Sequence, residues 1–440
     1  MTTRSHSTHN LRTFYTLTIT QVLSLIGSRM THVAIGIRVF NDTGNSTPLL
    51  LASFFASLPL MVAGSLAGVL ADRWPRKTVL ILSDAGQAVG TLLLLFSFLS
   101  GRFALWHLYA LSFLQGLLGM LQRPAMDASV TMLVPEGHRD RANAIRQITG
   151  PAAGMVAPVI AGAVYGAVGV SGVIAIDLVT FFVAIAVVVL VRIPQPPPTA
   201  EGQARRGSIL GELWVGLGFL WQRKVLLALM CYAALLNFLM SGPMNLNTPY
   251  IMTLTGSEAL LGMLLGVLNL GIVVGGVAMG IWGGTRPRIH GIMLGLLFRA
   301  AWMVIYGIAR TPPLLGLALF FVFFTTVLVD ASFMSILQQK VPPDMQGRVF
   351  ALLTQMMYIA NPLSLLLTGP LVDRVLEPAV GGPGWGTVAP LVGSQAGSGM
   401  GLLMVIAGAA IFFLTAGVYA LPKTRSVERD LPDYGVGRHI

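Results

Sequence analysis

Twelve apolar stretches, each about as long as a bilayer is thick, dominate this chain. A membrane-spanning helix needs about 20 mainly apolar residues. A bilayer interior accepts such stretches only as helices that satisfy their own backbone hydrogen bonds. The sequence therefore predicts an all-α membrane protein with twelve transmembrane helices. The predicted spans are Thr16–Val39, Leu49–Leu70, Thr78–Leu99, Ala104–Leu121, Ile145–Val168, Val173–Val191, Val225–Thr248, Leu260–Trp282, Ile289–Ala309, Leu314–Leu337, Phe350–Val372 and Gly399–Leu421.

The composition excludes the main soluble classes. Charged residues make up 10% of the chain, where soluble proteins carry about 25%. Hydrophobic residues make up 55%, which is too many for a disordered chain. The single cysteine, Cys231, cannot form an internal disulfide, so a disulfide scaffold is excluded as well.

A Pro-rich, charged segment interrupts the series of spans after the sixth. Arg192–Ser208 lacks the periodic apolar residues of a helix or strand, and we therefore interpret it as a linker. The following Ile209–Lys224 carries leucines on one face and predicts an amphipathic helix on the membrane surface. We therefore predict an N-terminal six-helix half (1–192), a cytoplasmic linker with this helix (193–224), a C-terminal half (225–421) and a tail (422–440). Similar segments after spans 4 and 10 indicate a parallel repeat of the halves, an arrangement typical of transporters.

The basic residues predict the orientation. Of the 28 Lys and Arg residues, 22 fall in segments on the side of the N-terminus, 4 on the opposite side and 2 inside spans. Basic residues are enriched in cytoplasmic loops, so both termini are predicted to be cytoplasmic. The same loops account for the formal net charge of +11, and no nucleic-acid partner is expected.

The loop after the second span carries the most specific motif. Its residues 68–77 read Gly-Val-Leu-Ala-Asp-Arg-Trp-Pro-Arg-Lys and resemble the signature loop of the major facilitator superfamily, with Pro75 in place of its second glycine. In that family the cluster latches the two halves on the cytoplasmic side. An ordinary basic loop that only fixes topology is the alternative. The implied latch residues are Gly68, Asp72, Arg73, Arg76 and Lys77.

Two further stretches of the sequence indicate one branch of this family. They begin at Arg123-Pro124-Ala125 and at Leu337-Gln338-Gln339-Lys340. Both resemble the bacterial branch that holds macrolide-efflux and siderophore-export proteins, a group of drug:proton antiporters. The resemblance implies a monomeric secondary transporter in the bacterial inner (cell) membrane, surrounded by lipid. It would export amphiphilic drug-like or siderophore-like small molecules by alternating access, in exchange for protons.

Ionisable residues inside spans are costly and therefore candidates for function. The family's relay arginine in the fourth helix is replaced here by Ser112, so a proton carrier must lie elsewhere. Asp330 is the leading candidate because the resemblance places the tenth helix at the cavity, and a fixed ion pair or a contact at the helix end is the alternative. Asp84, Asp177 and Arg299, in peripheral helices, are expected to be structural or interfacial. The full set of proton-coupling candidates is Asp330, Arg29, His32 and Asp84.

Polar side chains recur on one face of several spans. In the first span they are spaced three or four residues apart, which places them on one helix face. Such a face predicts a cavity lining, with hydrogen bonds between helices as the alternative. Met240, Met244, Met356 and Met357 would suit an adaptable pocket. The substrate-cavity candidates are Gln21, Ser28, Asn237, Ser241, Asn245, Tyr358 and Asn361.

Several signals of other chemistry are absent from the sequence. The sequence contains no phosphate-binding loop motif, and no group of His and Cys residues has the spacing typical of zinc ligands. We therefore expect no enzyme, no catalytic residues, no metal and no cofactor. A nutrient uniporter or importer, a lysophospholipid flippase, a transporter-like sensor and a membrane-embedded enzyme remain as alternatives.

Overall fold

A computed structural model describes residues 11–191, 217–431 and 433–434, apart from the side chains of residues 65–73 and a few others. Within these residues the regular structure is helical, as predicted. The helices of the N-terminal half begin with α1 (Leu11–Thr43), α2 (Thr47–Arg73), α3 (Arg76–Leu99) and α4 (Leu105–Leu133). A fifth helical element, Arg139–Leu190, completes this half.

The element Arg139–Leu190 contains two membrane-spanning segments. Gly169 has a φ of 64° and interrupts the helix, a conformation that glycine adopts without steric penalty. We call residues 139–168 α5 and residues 170–190 α6. The predicted boundary between the fifth and sixth spans falls at this break.

The C-terminal half repeats the pattern of long helices. α7 (Lys224–Asn245) continues after one residue as a short helix, Asn247–Thr255. The further long helices are α8 (Glu258–Trp282), α9 (Arg288–Ile308), α10 (Pro312–Lys340), α11 (Pro343–Leu371) and α12 (Ser398–Ala420). Short helices at Pro422–Arg425 and Val427–Asp430 follow α12.

Ten helical elements of the described chain are long and apolar enough to cross a membrane. Ile145–Leu190 counts once among them although Gly169 divides it, and α4 is not among them. α4 carries several polar residues, among them Gln115 and Gln122, which lower its hydropathy. The predicted all-α membrane fold is thus confirmed, and its number of helices is about twelve.

The described residues form two compact units. The first unit contains residues 11–35 and 55–191, and the second contains residues 36–54, 217–431 and 433–434. The end of α1, the turn that follows it and the start of α2 therefore belong to the second unit. Within the first unit, α3 packs against α4 and against the element Arg139–Leu190.

In the second unit, α10 packs against both α8 and α9, while α12 packs against α9 and α7 packs against α11. A Cβ atom at Gly271 or Gly275 of α8 would overlap a backbone carbonyl of α10. Two glycines four residues apart allow this close approach of the backbones, as is common between helices in membranes. Most of the predicted linker lies outside the described residues, which resume as a helix at residues 217–222.

Candidate functional site

A polar cavity of about 450 Å³ lies in the first unit. It is lined by the predicted polar face of α1 and by side chains of α3 and α4, with single residues of α2 and α6. Most of its lining residues carry amide, hydroxyl or charged side chains, so it offers many hydrogen-bonding groups. Its polar lining residues are Gln21, Ser24, Ser28, Arg29, His32, Asp84, Gln87, Gln115 and Gln122.

Asp84 is held at this cavity by amide groups rather than by a cation. Gln21 Nε2 donates to one carboxylate oxygen at 3.0 Å, and Gln122 Nε2 donates to the other at 2.6 Å. Gln87 Nε2 in turn donates to the Gln122 side-chain oxygen at 3.0 Å. The Asp84 side chain is only 1% exposed. This network connects α1, α3 and α4 and gives Asp84 a defined structural role.

Arg29 lies at the same cavity without a carboxylate partner. The ion pairs within 4.0 Å among the described side chains are Arg38–Asp42, Lys340–Asp433 and Arg429–Asp430. None of them includes Arg29. Among the described residues, no acid of the cavity therefore pairs with Arg29.

Ser28 has two roles in the first unit. It lines the cavity, and its hydroxyl donates to the Asp177 carboxylate at 3.1 Å. Asp177 is fully buried, so this bond connects α1 to α6. The two interpretations of the polar face, cavity lining and bonding between helices, both apply to Ser28.

The second unit contains a larger and mostly apolar cavity of about 630 Å³ between α7, α9, α10 and α11. Leucine, isoleucine, phenylalanine and methionine side chains form most of its wall. Flexible methionine side chains can adapt to ligands of different shape. The methionines at this cavity are Met240, Met244, Met293, Met334 and Met357.

Four of the predicted cavity residues do line this cavity. They are Asn237, Ser241, Asn245 and Asn361. Three of them bond along α7, since Ser241 Oγ donates to Asn237 Oδ1 at 3.3 Å and Asn245 Nδ2 donates to the Ser241 carbonyl at 2.7 Å. Asn361 Oδ1 is buried without a hydrogen-bond partner among the described residues. Tyr358 is not among the residues that line either cavity.

Asp330 and Arg299 bring charge into the apolar cavity. Asp330 is exposed to the open space of the cavity, whereas Arg299 is 6% exposed. Arg299 Nη1 donates to Thr326 Oγ1 at 3.4 Å, and its Nε has no hydrogen-bond partner in the described part of the chain. Thr326 donates its own proton to the Val322 carbonyl.

Arg299, which is expected to be structural because its helix is peripheral, lines the cavity. A signal for that position was present in the sequence. Arg299 lies three residues after Leu296 and seven after Ile292, which places all three on the buried face of α9. A cation in the middle of an apolar helix face, rather than at its polar edge, indicates an internal charged site.

The predicted latch is only partly described. The side chains of Gly68, Asp72 and Arg73 lie outside the described residues. Lys77 Nζ donates to the backbone carbonyls of Val189 and Val191 at 2.6 and 2.9 Å. A cation at the carbonyl end of a helix is favourable, so Lys77 stabilises the end of α6.

Long apolar helices that enclose one polar and one mostly apolar cavity are the features of a multi-pass membrane transporter. Residues 17–365 match the Major Facilitator Superfamily. The chain belongs to this family.

Relatives and solved structures agree with this assignment. The chain is 28% identical to macrolide efflux protein A of Streptococcus pyogenes, over 82% of this chain and 90% of the relative. It is 24% identical to the enterobactin exporter EntS of Shigella flexneri, over 89% of each chain.

Among solved structures, a bacterial homologue of the human lysosomal transporter Spinster matches with a TM-score of 0.74 at 16% identity, covering 96% of this chain and 98% of that chain. The nucleoside transporter NupG matches with a TM-score of 0.69 at 13% identity, covering 93% of this chain and 99% of that chain. These structural matches establish the fold.

Proposed function

We propose that this protein is a proton-coupled exporter of amphiphilic small molecules that are drug-like or siderophore-like. The observation that carries the proposal is an exposed acid, Asp330, in a mostly apolar cavity of the second unit. The relatives that handle macrolides and enterobactin support export as the direction. The basic-residue asymmetry supports a topology with both termini in the cytoplasm. The similarity to bacterial efflux proteins supports a location in the bacterial inner membrane, and we propose that the protein acts there as a monomer.

The walls of this cavity suit an amphiphile. An apolar wall binds the apolar part of a ligand through burial of surface, and a few polar groups fix its orientation. Asn361 Oδ1 and Arg299 Nε supply an acceptor and a donor that lack partners among the described residues. Because both atoms are buried, a ligand that carries a hydrogen-bond donor and an acceptor would reach them once the Arg299 and Asn361 side chains turn toward the cavity that they line.

Asp330 and Arg299 can couple a proton to this ligand. When Asp330 is charged, the buried guanidinium of Arg299 compensates it across the cavity. When Asp330 takes up a proton, its carboxylate becomes a neutral carboxyl group, and Arg299 is free to attract an oxygen of the ligand. Binding of the proton and of the ligand would then be linked through the same pair of side chains.

Purified protein in proteoliposomes tests the coupling. A macrolide and enterobactin are the probes, and a pH-sensitive dye in the lumen reports proton flux. Asp330→Asn should abolish accumulation driven by a proton gradient, because an amide cannot carry the proton. It should retain exchange of labelled for unlabelled substrate. Glu258→Gln, in the first turn of α8 away from the cavity, is the matched control.

Two outcomes would contradict the assignment. If Asp330→Asn keeps gradient-driven transport with its normal dependence on pH, Asp330 is not the carrier. Asp84→Asn and His32→Gln would then be measured in the same way. If the wild-type protein exchanges substrate but never moves protons in the opposite direction, the protein is not proton-coupled.

A further inference from the structure

The turn between α1 and α2 is bound by the end of α11. Both belong to the second unit, which contains residues 36–54 together with the C-terminal helices. The turn itself spans residues 44–46, and α2 begins at Thr47. The segment Val372–Leu376 continues α11 as a single π-helical turn and carries the group that binds it.

The carboxylate of Asp373 accepts two backbone hydrogen bonds from the start of α2. Ser46 N donates to Oδ1 at 2.9 Å, and Thr47 N donates to Oδ2 at 2.6 Å. The first amides of a helix have no partner within the helix, and the positive end of its dipole favours an anion. We call the Asp373 carboxylate and these two amides the Asp373 clasp.

Close packing supports the clasp. Gly369 lies one helical turn before Asp373, and a Cβ atom there would come within 2.9 Å of Thr47 Cα. Only glycine therefore allows α2 to approach α11 this closely. Ser46 is 1% exposed, and its hydroxyl donates to the sulfur of Met400 at 3.7 Å.

A second acid of the same segment provides a comparison. Glu377 accepts hydrogen bonds from Gly397 N at 3.1 Å and from Met400 N at 2.8 Å. It therefore caps the start of α12, only about twenty residues further along the chain. Asp373 makes the same kind of contact to a helix that precedes it by more than three hundred residues.

We propose that Asp373 is a positioning residue of the transport cycle, and that its carboxylate holds the start of α2 against α11 while the outer side of the transporter is closed. α1 and α2 leave the second unit near residues 35 and 55. A rearrangement of the two units during alternating access must therefore bend these helices or release the clasp. The inference rests on the proposed alternating access and on the proposed orientation, which places the α1–α2 turn outside.

Cross-linking across the clasp tests the proposal without any substrate. Asn45→Cys and Arg374→Cys place thiols on two exposed positions beside the clasp, in a Cys231→Ser background. The rate of reaction with a short bifunctional maleimide reports how often the clasp is closed. Asp373→Asn should lower this rate about fivefold, because it removes a charge at a helix N-terminus and weakens two charge-assisted bonds. Asp373→Glu keeps the charge and should restore most of the rate.

Glu377→Gln is the matched control, since it removes the neighbouring carboxylate from the same segment. Its cross-linking rate should stay at the wild-type value. An unchanged rate in Asp373→Asn would overturn the proposal, and so would an equal loss in Glu377→Gln. Because the rate needs neither a proton gradient nor a ligand, failure of proton-coupled export would leave this result standing.

Discussion

Arg29 is a cation in a membrane-spanning helix, at the wall of a cavity that is rich in amides. The described residues provide no ion pair for it, and the nearby Asp84 is already held by Gln21 and Gln122. A guanidinium in this position needs water or a ligand oxygen as its partner. The geometry therefore favours a direct role of Arg29 in binding a polar group of the substrate.

Replacing Arg29 should separate this role from simple packing. Arg29→Ala should lower transport at least about tenfold, the equivalent of 1.4 kcal/mol. The polar group of the substrate that Arg29 binds would then enter the cavity without a charged partner. Arg29→Lys should recover only part of the activity because the ammonium lacks the planar fork of guanidinium. Initial rates of substrate uptake into proteoliposomes are the measurement.

Arg38→Ala, on the same helix, is the control for Arg29. Arg38 pairs with Asp42 at 2.7 Å, and the two side chains are 49% and 43% exposed. Exposed pairs of this kind contribute little, so transport should be unaffected. Full activity in Arg29→Ala would show that Arg29 only fills space at the cavity wall.

At the scale of elements, the tail after α12 is docked on the ends of α9 and α10. Lys340, the last residue of α10, is 2% exposed. Its Nζ donates to the backbone carbonyls of Glu428 and Leu431 and pairs with Asp433 at 2.8 Å. Glu428 in turn accepts a hydrogen bond from Ile289 N at the start of α9, at 3.0 Å.

Lys340→Met should release this tail. The thioether has similar length but cannot satisfy the carbonyls, and hydrogen bonds to a charged group contribute about 2 kcal/mol. Residues 427–434 should then exchange their amide hydrogens faster and become sensitive to protease, while α9 and α10 stay protected. Lys423→Met, an exposed lysine of the same tail, should change neither. Equal protection of residues 427–434 in both variants would contradict the docking role.

The same elements show which features of the fold a single sequence predicts and which it does not. The membrane spans were predictable because each span must form all its backbone hydrogen bonds within its own helix and must present an apolar surface to the lipid. Lys340 was interpreted as one of many cytoplasmic basic residues, because its burial depends on a tail about ninety residues away. The position of Asp373 was missed for the same reason. A contact between distant segments has no periodicity that a single sequence displays.

At the scale of the whole molecule, two acids are expected to act on one conformational equilibrium from opposite ends. Asp72, in the last turn of α2, is predicted to stabilise the state that is open to the outside. Asp373 is proposed to stabilise the state that is closed there. If both act through the same rearrangement of the two units, their effects must have opposite signs, and distant substitutions should combine additively.

Asp72→Asn should therefore shift the population toward the inward-open state by about fivefold, the effect of an ion pair that contributes about 1 kcal/mol. Electron–electron resonance distances between spin labels on the cytoplasmic ends of the two halves measure this shift. The double variant Asp72→Asn/Asp373→Asn should return close to the wild-type distribution, whereas Asp72→Asn/Glu377→Gln should stay shifted. Unchanged distances in Asp72→Asn would eliminate the cytoplasmic latch. A shift in the same direction for Asp72→Asn and Asp373→Asn would show that the two acids do not oppose each other.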